Sequence, residues 1–235
     1  MSEISSNILA IQNRIDQALA AAGRPAGAAR LLAVTKTFPA AIVKEAYDAG
    51  LRAFGENRVQ ELMEKAPLLP SDVSWHVIGH LQQNKVRHAL THAAWFHSVD
   101  TPELLDRINR IAGEEQVKPN VLIEVNISGE ASKWGTAASD VESWLSTRLG
   151  GPAAIRGLMT VAPADATESE LHQVFAGLRG LRDSLQARLG IQLPELSMGM
   201  SHDFEIAIAE GATIVRVGSA IFGHRTYPEQ PQGNS

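Results

Sequence analysis

The chain has 235 residues, 44% of them hydrophobic and 20% charged, enough for one globular domain or two small ones. Its formal net charge of −5 leaves no basic excess to neutralise nucleic-acid phosphates, so general nucleic-acid binding is excluded. There is no cysteine, which removes disulfides, thiolate catalysis and cysteine-ligated metals.

The N-terminus, Met1-Ser2-Glu3-Ile4-Ser5, lacks a basic region followed by an apolar core, so no signal peptide is expected. No apolar stretch approaches the roughly 20 residues of a bilayer span. A cytoplasmic protein with no membrane partner is the expectation. Ile4, Ile8, Ile11, Ile15 and Leu19 recur at helical spacing and share one face of an N-terminal helix, which Gly23 and Pro25 end. From residue 30 the pattern alternates. Short apolar runs predict strands at Arg30–Thr35, Arg52–Gly55, Ser74–Gly79, Trp95–Val99, Asn120–Asn126, Ile155–Val161, Glu195–Gly199 and Thr213–Val217. Between them lie helical segments. Pro39 opens one that Gly50 closes, and Asp100-Thr101-Pro102 opens another carrying Leu104, Leu105, Ile108 and Ile111. Asn57, Gln82 and Ser201 stand where others begin. The order of elements fits a (β/α)₈ TIM-type barrel with an additional N-terminal helix, near the usual ~250 residues. An open doubly wound sheet is the competing architecture, and the strand count favours the barrel. Residues 1–227 are expected to form one domain, and Pro228–Ser235, rich in Pro, Gln, Gly and Asn, a disordered tail.

Strand parity then locates chemistry. Alternate residues of a barrel strand face the lumen, so Leu32, Val34 and Lys36 share one side of the first strand. Ile214, Arg216 and Gly218 share one side of the last. The first and eighth strands are neighbours in a closed barrel, which brings Lys36 and Arg216 to the carboxyl end, where barrel enzymes keep their sites. Phosphate is commonly held by the loops after strands seven and eight. Gly199-Met200-Ser201 and Gly218-Ser219-Ala220 fall there, with glycines that let backbone approach an oxygen and serines that donate. An amine facing an anion cradle suits pyridoxal 5′-phosphate held as a Schiff base. Desolvation and a nearby cation such as Arg216 would lower the Lys36 amine pKa, as attack on an aldehyde requires. Arg216 can donate to a pyridine nitrogen, or pair with a carboxylate at the strand end. Asn57 can hydrogen-bond a phenolic oxygen, or cap the next helix. His88 and His92 share helical spacing, but no third ligand is evident and no metal site is expected.

These segments together resemble the pyridoxal-phosphate homeostasis protein family, single-domain relatives of the barrel half of bacterial alanine racemase. The matching stretches include Leu32-Ala33-Val34-Thr35-Lys36, Phe54-Gly55-Glu56-Asn57, Trp75-His76-Val77-Ile78-Gly79-His80, Leu196-Ser197-Met198-Gly199-Met200-Ser201 and Arg216-Val217-Gly218-Ser219-Ala220-Ile221-Phe222-Gly223. The resemblance implies that Lys36 is the Schiff-base lysine, that Arg216 faces the pyridine nitrogen, and that Ser201, Gly218 and Ser219 hold phosphate; Met200, within the matching string, is counted with them. It implies a cofactor handler acting in vitamin B6 homeostasis, without turnover. Apo forms of enzymes that use the cofactor are its candidate partners. The alternative is an active enzyme such as an amino-acid racemase. Two-base racemisation needs a second acid–base group, which the racemase relatives take from a further domain. The two tyrosines here, Tyr47 on a helix and Tyr227 in the tail, are not obvious substitutes. A Schiff-base aldolase is a third, weaker option. With no second domain and no visible dimer seam, a monomer is expected. Lys85 and Lys133 lie in family-matching loops without an assigned role.

Overall fold

The computed structural model describes residues 2–130 and 134–223. Tyr227, Lys133 and the proposed tail at 228–235 lie outside the described residues. Helix α1 (Glu3–Ala21) starts at Ser2, whose side chain accepts from the Ser5 amide, and buries Ile8, Ile11, Ile15 and Leu19 as the spacing predicts. Eight parallel strands follow as a ring: β1 (Arg30–Val34), β2 (Ala53–Glu56), β3 (Ser74–Val77), β4 (Ala93–Val99), β5 (Asn120–Asn126), β7 (Ala154–Met159), β8 (Glu195–Ser197) and β9 (Ile214–Val217). Each pairs with its successor, and β9 pairs with β1 to close the barrel. The short β6 (Thr136–Ala137) stands outside the ring, paired with Val125 and Asn126 at the end of β5. Two residues carry no readable alternation, so that strand has no sequence signature.

The helices between strands begin where their caps dictate. In α5 (Pro102–Glu115), Thr101 accepts from the Leu104 amide and Pro102 occupies the first turn. In α7 (Glu168–Leu189), Thr167 and Glu170 form a reciprocal capping box and Gly190 closes the helix in a left-handed conformation. The remaining helices are α2 (Ala40–Asp48), α3 (Val59–Lys65), α4 (Val86–Leu90), α6 (Ala138–Leu145), α8 (Phe204–Ala209) and α9 (Ser219–Phe222). Two helix starts differ from the sequence expectation. The position before α3 is Arg58 rather than Asn57, and α8 starts at Phe204, after a turn that contains Ser201. His92 falls beyond the end of α4, so it does not share a helix face with His88.

Two apolar layers hold the barrel. The lumen carries Leu32, Leu122, Met159 and Ile214, with Ala53, Ile78 and Trp95 against them. Residues of opposite parity, among them Phe54, Val77, Phe96, Ile123 and Val217, meet the helices in a larger outer core. Burial on both faces explains why the strands read as near-continuous apolar runs. The additional helix α1 is a brace. Asn7 Nδ2 donates to the Ile221 carbonyl of α9 at 3.0 Å, and Arg14 pairs with Glu205 and lies over the Phe204 ring of α8 at 4.6 Å. It therefore supports the two helices that follow the last two strands. Among the described residues, no helix is long and apolar enough to cross a membrane.

Candidate functional site

The β1–β9 seam sets the geometry. Leu32 is level with Arg216 and Ala33 with Val217, so Val34 comes level with Gly218 and Lys36 follows just above. On the other side of β1, Val34 is level with Gly55, and the same register carries Lys36 to the height of Asn57. A cavity of about 670 Å³ opens there, within the range of small-molecule sites. Lys36, Asn57, Met200, Ser201, Arg216, Gly218 and Ser219, the seven residues singled out from the sequence, all line it. Val34, Phe38, Ile78, Val161, His202 and Gly223 complete the wall. Phe38 packs on Phe222 of α9 with ring centroids 5.1 Å apart, joining the Lys36 loop to the last helix.

The wall formed by the loops after β8 and β9 is built by close backbone approach. A Cβ on Gly218 would sit 3.1 Å from the Val34 carbonyl, so the α9 start can lie against β1 only as glycine or with an outward shift. Gly199 takes φ +91, and a Cβ there would meet Ala207 at 2.6 Å and Phe204 Cα at 2.9 Å. That glycine lets the β8 loop fold back onto α8. Ser219 Oγ donates to Ser201 Oγ at 3.2 Å, so the two loops present their hydroxyls side by side. The Met200 amide is not part of this donor set, because it is taken by the Asp203 carboxylate. On the opposite wall a Cβ at Gly79 would lie 2.5 Å from the Asn57 carbonyl, so Gly79 allows the β2 loop carrying Asn57 to pack against β3.

Arg216 is buried in the lumen. Its Nη1 donates to Ser197 Oγ at 2.7 Å and its Nη2 to the Thr160 carbonyl at 2.9 Å. No carboxylate forms an ion pair with it among the described residues, so the strand-end salt bridge considered from sequence is not what holds it. Burial lowers its pKa to about 10, with Glu124 and Asp203 acting in the other direction, and the guanidinium stays charged at neutral pH.

Behind Arg216 runs a chain of polar side chains that the sequence reading missed. Ser197 Oγ lies 2.9 Å from His97 Nδ1, and His97 Nε2 lies 2.9 Å from His76 Nδ1. His76 Nε2 is 3.2 Å from Ser74 Oγ. Burial pushes the His76 imidazole down to about 3, and burial, His76 and Arg216 hold His97 well below its ordinary value. Both are neutral, each with one ring proton. A guanidinium only donates, so Ser197 Oγ accepts from Arg216, and the neutral imidazoles of His97 and His76 carry the hydrogen-bonded chain on to Ser74. Parity was the available signal: Ser74 and His76 alternate toward the lumen on β3, as do Trp95 and His97 on β4.

Among the described residues no group of three or more His, Asp or Glu side chains is placed to hold a metal ion. Tyr47 is turned elsewhere, its hydroxyl donating to Asp72 at 2.7 Å.

Fold and site together define an alanine-racemase-type barrel with an amine and two glycine–serine loops at one mouth. The family model described as alanine racemase, N-terminal domain, matches residues 6–226. A pyridoxal phosphate homeostasis protein from Aquifex aeolicus is 42% identical over 219 residues, covering 92% of this chain and 96% of its own. PipY of Synechococcus elongatus PCC7942, in a structure with PLP bound, superposes with a TM-score of 0.79 at 42% identity, covering 89% of this chain and all of that one. An alanine racemase from Clostridium difficile shares the fold at a TM-score of 0.74 and 12% identity, covering 97% of this chain but 58% of the racemase. The chain belongs to the pyridoxal phosphate homeostasis protein family.

Proposed function

We propose that this chain binds pyridoxal 5′-phosphate as a Schiff base on Lys36 and serves its homeostasis inside the cell, without catalytic turnover of its own. The observation that carries this is the shared cavity: an amine, a buried guanidinium and a glycine–serine cradle line one space of about 670 Å³. The donor set fits the cofactor. Ser201 and Ser219 would give hydroxyls to a phosphate, Gly218 leaves room against β1, and the Asn57 amide would hydrogen-bond a phenolic oxygen. Lys36 would hold the cofactor through its amine, and the cofactor would supply the aldehyde for that imine link.

The residues of the chain favour holding over turnover. Arg216 can only donate to a ring nitrogen and cannot protonate it at neutral pH, which makes a poorer electron sink than an aspartate partner would. Two-base racemisation needs a second proton carrier across the ring from the lysine, and Tyr47 is engaged with Asp72 away from the cavity. The names of the relatives agree with a handling role. We take the protein to act as a monomer, with apo enzymes that use the cofactor as recipients, and residues 1–227 as its single domain.

The test mixes purified protein with pyridoxal 5′-phosphate. A yellow absorbance band that is absent in Lys36→Ala, with no sustained racemisation of amino acids, is expected. Sustained racemisation lost in Lys36→Ala would establish the enzyme instead, and a colourless protein would refute cofactor binding through an imine.

A further inference from the structure

Lys36 sits in a turn whose two flanking residues are tied to one connected group of charges. On the near side, the Thr35 carbonyl accepts from Lys65 Nζ at 2.8 Å, and Thr35 Oγ1 donates to Glu56 Oε1 at 2.6 Å. On the far side, the Thr37 amide donates to Glu61 Oε2 at 2.6 Å. Lys65 joins the two sides, donating also to Glu56 Oε1 at 2.8 Å and to Glu61 Oε2 at 2.9 Å. Lys65 and Glu56 are buried between the barrel and α3. All three charges come from β2 and α3, and none lines the cofactor cavity.

The turn needs such a clamp. Thr37 has φ +71, an outlier for a β-branched residue, whose Cβ crowds the carbonyl in the left-handed region. The reversal follows directly on Lys36, two residues beyond the end of β1 at Val34. Burying the Lys65–Glu56 pair for packing alone is a poor route to stability, since apolar residues of similar volume generally do as well. Glu56 Oε2 even lacks a hydrogen-bond partner. What this arrangement supplies is a fixed geometry at Thr35 and Thr37.

We infer that Lys65 and Glu61 are positioning residues for Lys36: Lys65 clamps the Thr35 carbonyl, and through Glu61 the Thr37 amide, so that the Lys36 amine is presented to the aldehyde of the cofactor. This rests on the Lys36 role proposed above. The positioning acts on the imine link and not on the phosphate cradle. Loss of the clamp therefore lowers covalent capture more than it lowers phosphate-dependent binding.

The experiment uses the full chain as wild type, Glu61→Ala, Glu61→Gln and Lys65→Met, with pyridoxal 5′-phosphate as the probe. Two quantities are read. One is the fraction of bound cofactor fixed on Lys36 by borohydride, from peptide mass mapping. The other is amide hydrogen exchange of the segment holding Thr37 in apo protein. Removing a charged acceptor from an amide predicts a roughly tenfold lower equilibrium constant for capture in Glu61→Ala, with faster exchange at Thr37. Glu61→Gln keeps an acceptor and should recover most of the capture. Lys65→Met should lower capture at least as far; if that variant does not fold, the Glu61 pair decides alone. Unchanged capture in Glu61→Ala, or faster exchange with unchanged capture, overturns the positioning role. Absence of any pyridoxyl group on wild-type Lys36 is a different failure, since it removes the cofactor reading and this inference with it.

Discussion

Arg216 Nη1 donates to Ser197 Oγ at 2.7 Å, across the β8–β9 side of the lumen. This bond connects a cavity-lining cation to two neutral histidines that never reach the cavity. Ser197→Ala removes an acceptor from a buried guanidinium and a hydrogen-bond partner from buried His97 in one step. A loss of about 1–3 kcal/mol of stability is expected. Urea denaturation of the apo protein measures it, and cofactor affinity should fall in the same variant because Arg216 is no longer held.

Glu124 gives a pH signature. Burial first, then Asp100, raises its carboxyl from the ordinary 4.5 to about 7, against the opposing pull of Arg216. A raised folded pKa means the folded state retains a proton that the unfolded chain has lost. Stability from this group is complete below about 4.5 and is lost as pH rises to about 7. Glu124→Gln cannot ionise. Relative to wild type it should gain up to about 3 kcal/mol between pH 4.5 and pH 7.5. Urea melts of both proteins at the two pH values check the sign.

His76 acts in the opposite direction. Its folded pKa of about 3 lies below the ordinary imidazole value of 6.5, so the unfolded chain takes up a proton first as pH falls. Its contribution is complete above about 6.5 and is lost from there down toward about 3. His76→Asn should show a shallower acid loss than wild type over that window, measured by the same melts.

The proposed phosphate cradle can be tested without touching Lys36. Ser219 Oγ stands 3.2 Å from Ser201 Oγ, so Ser219→Asp would place a carboxylate beside the proposed phosphate. Two negative charges a few ångströms apart repel by several kcal/mol even at an effective dielectric of ~20, enough for at least a tenfold loss of pyridoxal 5′-phosphate affinity. Pyridoxal, which lacks the phosphate, should bind the variant and wild type alike in a spectrophotometric titration.

Much of this architecture was legible because barrel strands obey a two-residue period. Leu32, Val34 and Lys36 on one strand and Ile214, Arg216 and Gly218 on another could be assigned to the lumen by parity, and closure then brought both ends together. The strand ends were less legible. Thr37 turns the chain by a backbone angle that its residue type does not announce. Asp203 captures the Met200 amide from a turn whose form depends on Gly199. The chain from Arg216 to Ser197, His97, His76 and Ser74 spans four strands, and only the assembled barrel places its members in contact. Likewise Lys65 reads as an ordinary surface charge near the end of α3 until β1 and β2 are packed beneath it.

The claim on which the rest depends is that Lys36 and the cradle formed by Ser201, Gly218 and Ser219 hold the two ends of one cofactor molecule. Borohydride reduction of the loaded protein, followed by peptide mass mapping, tests it most directly. A single phosphopyridoxyl group on Lys36, lost in Lys36→Ala, is the predicted result. Phosphopyridoxyl spread over surface lysines, or carried on another lysine with Lys36 unmodified, would contradict it.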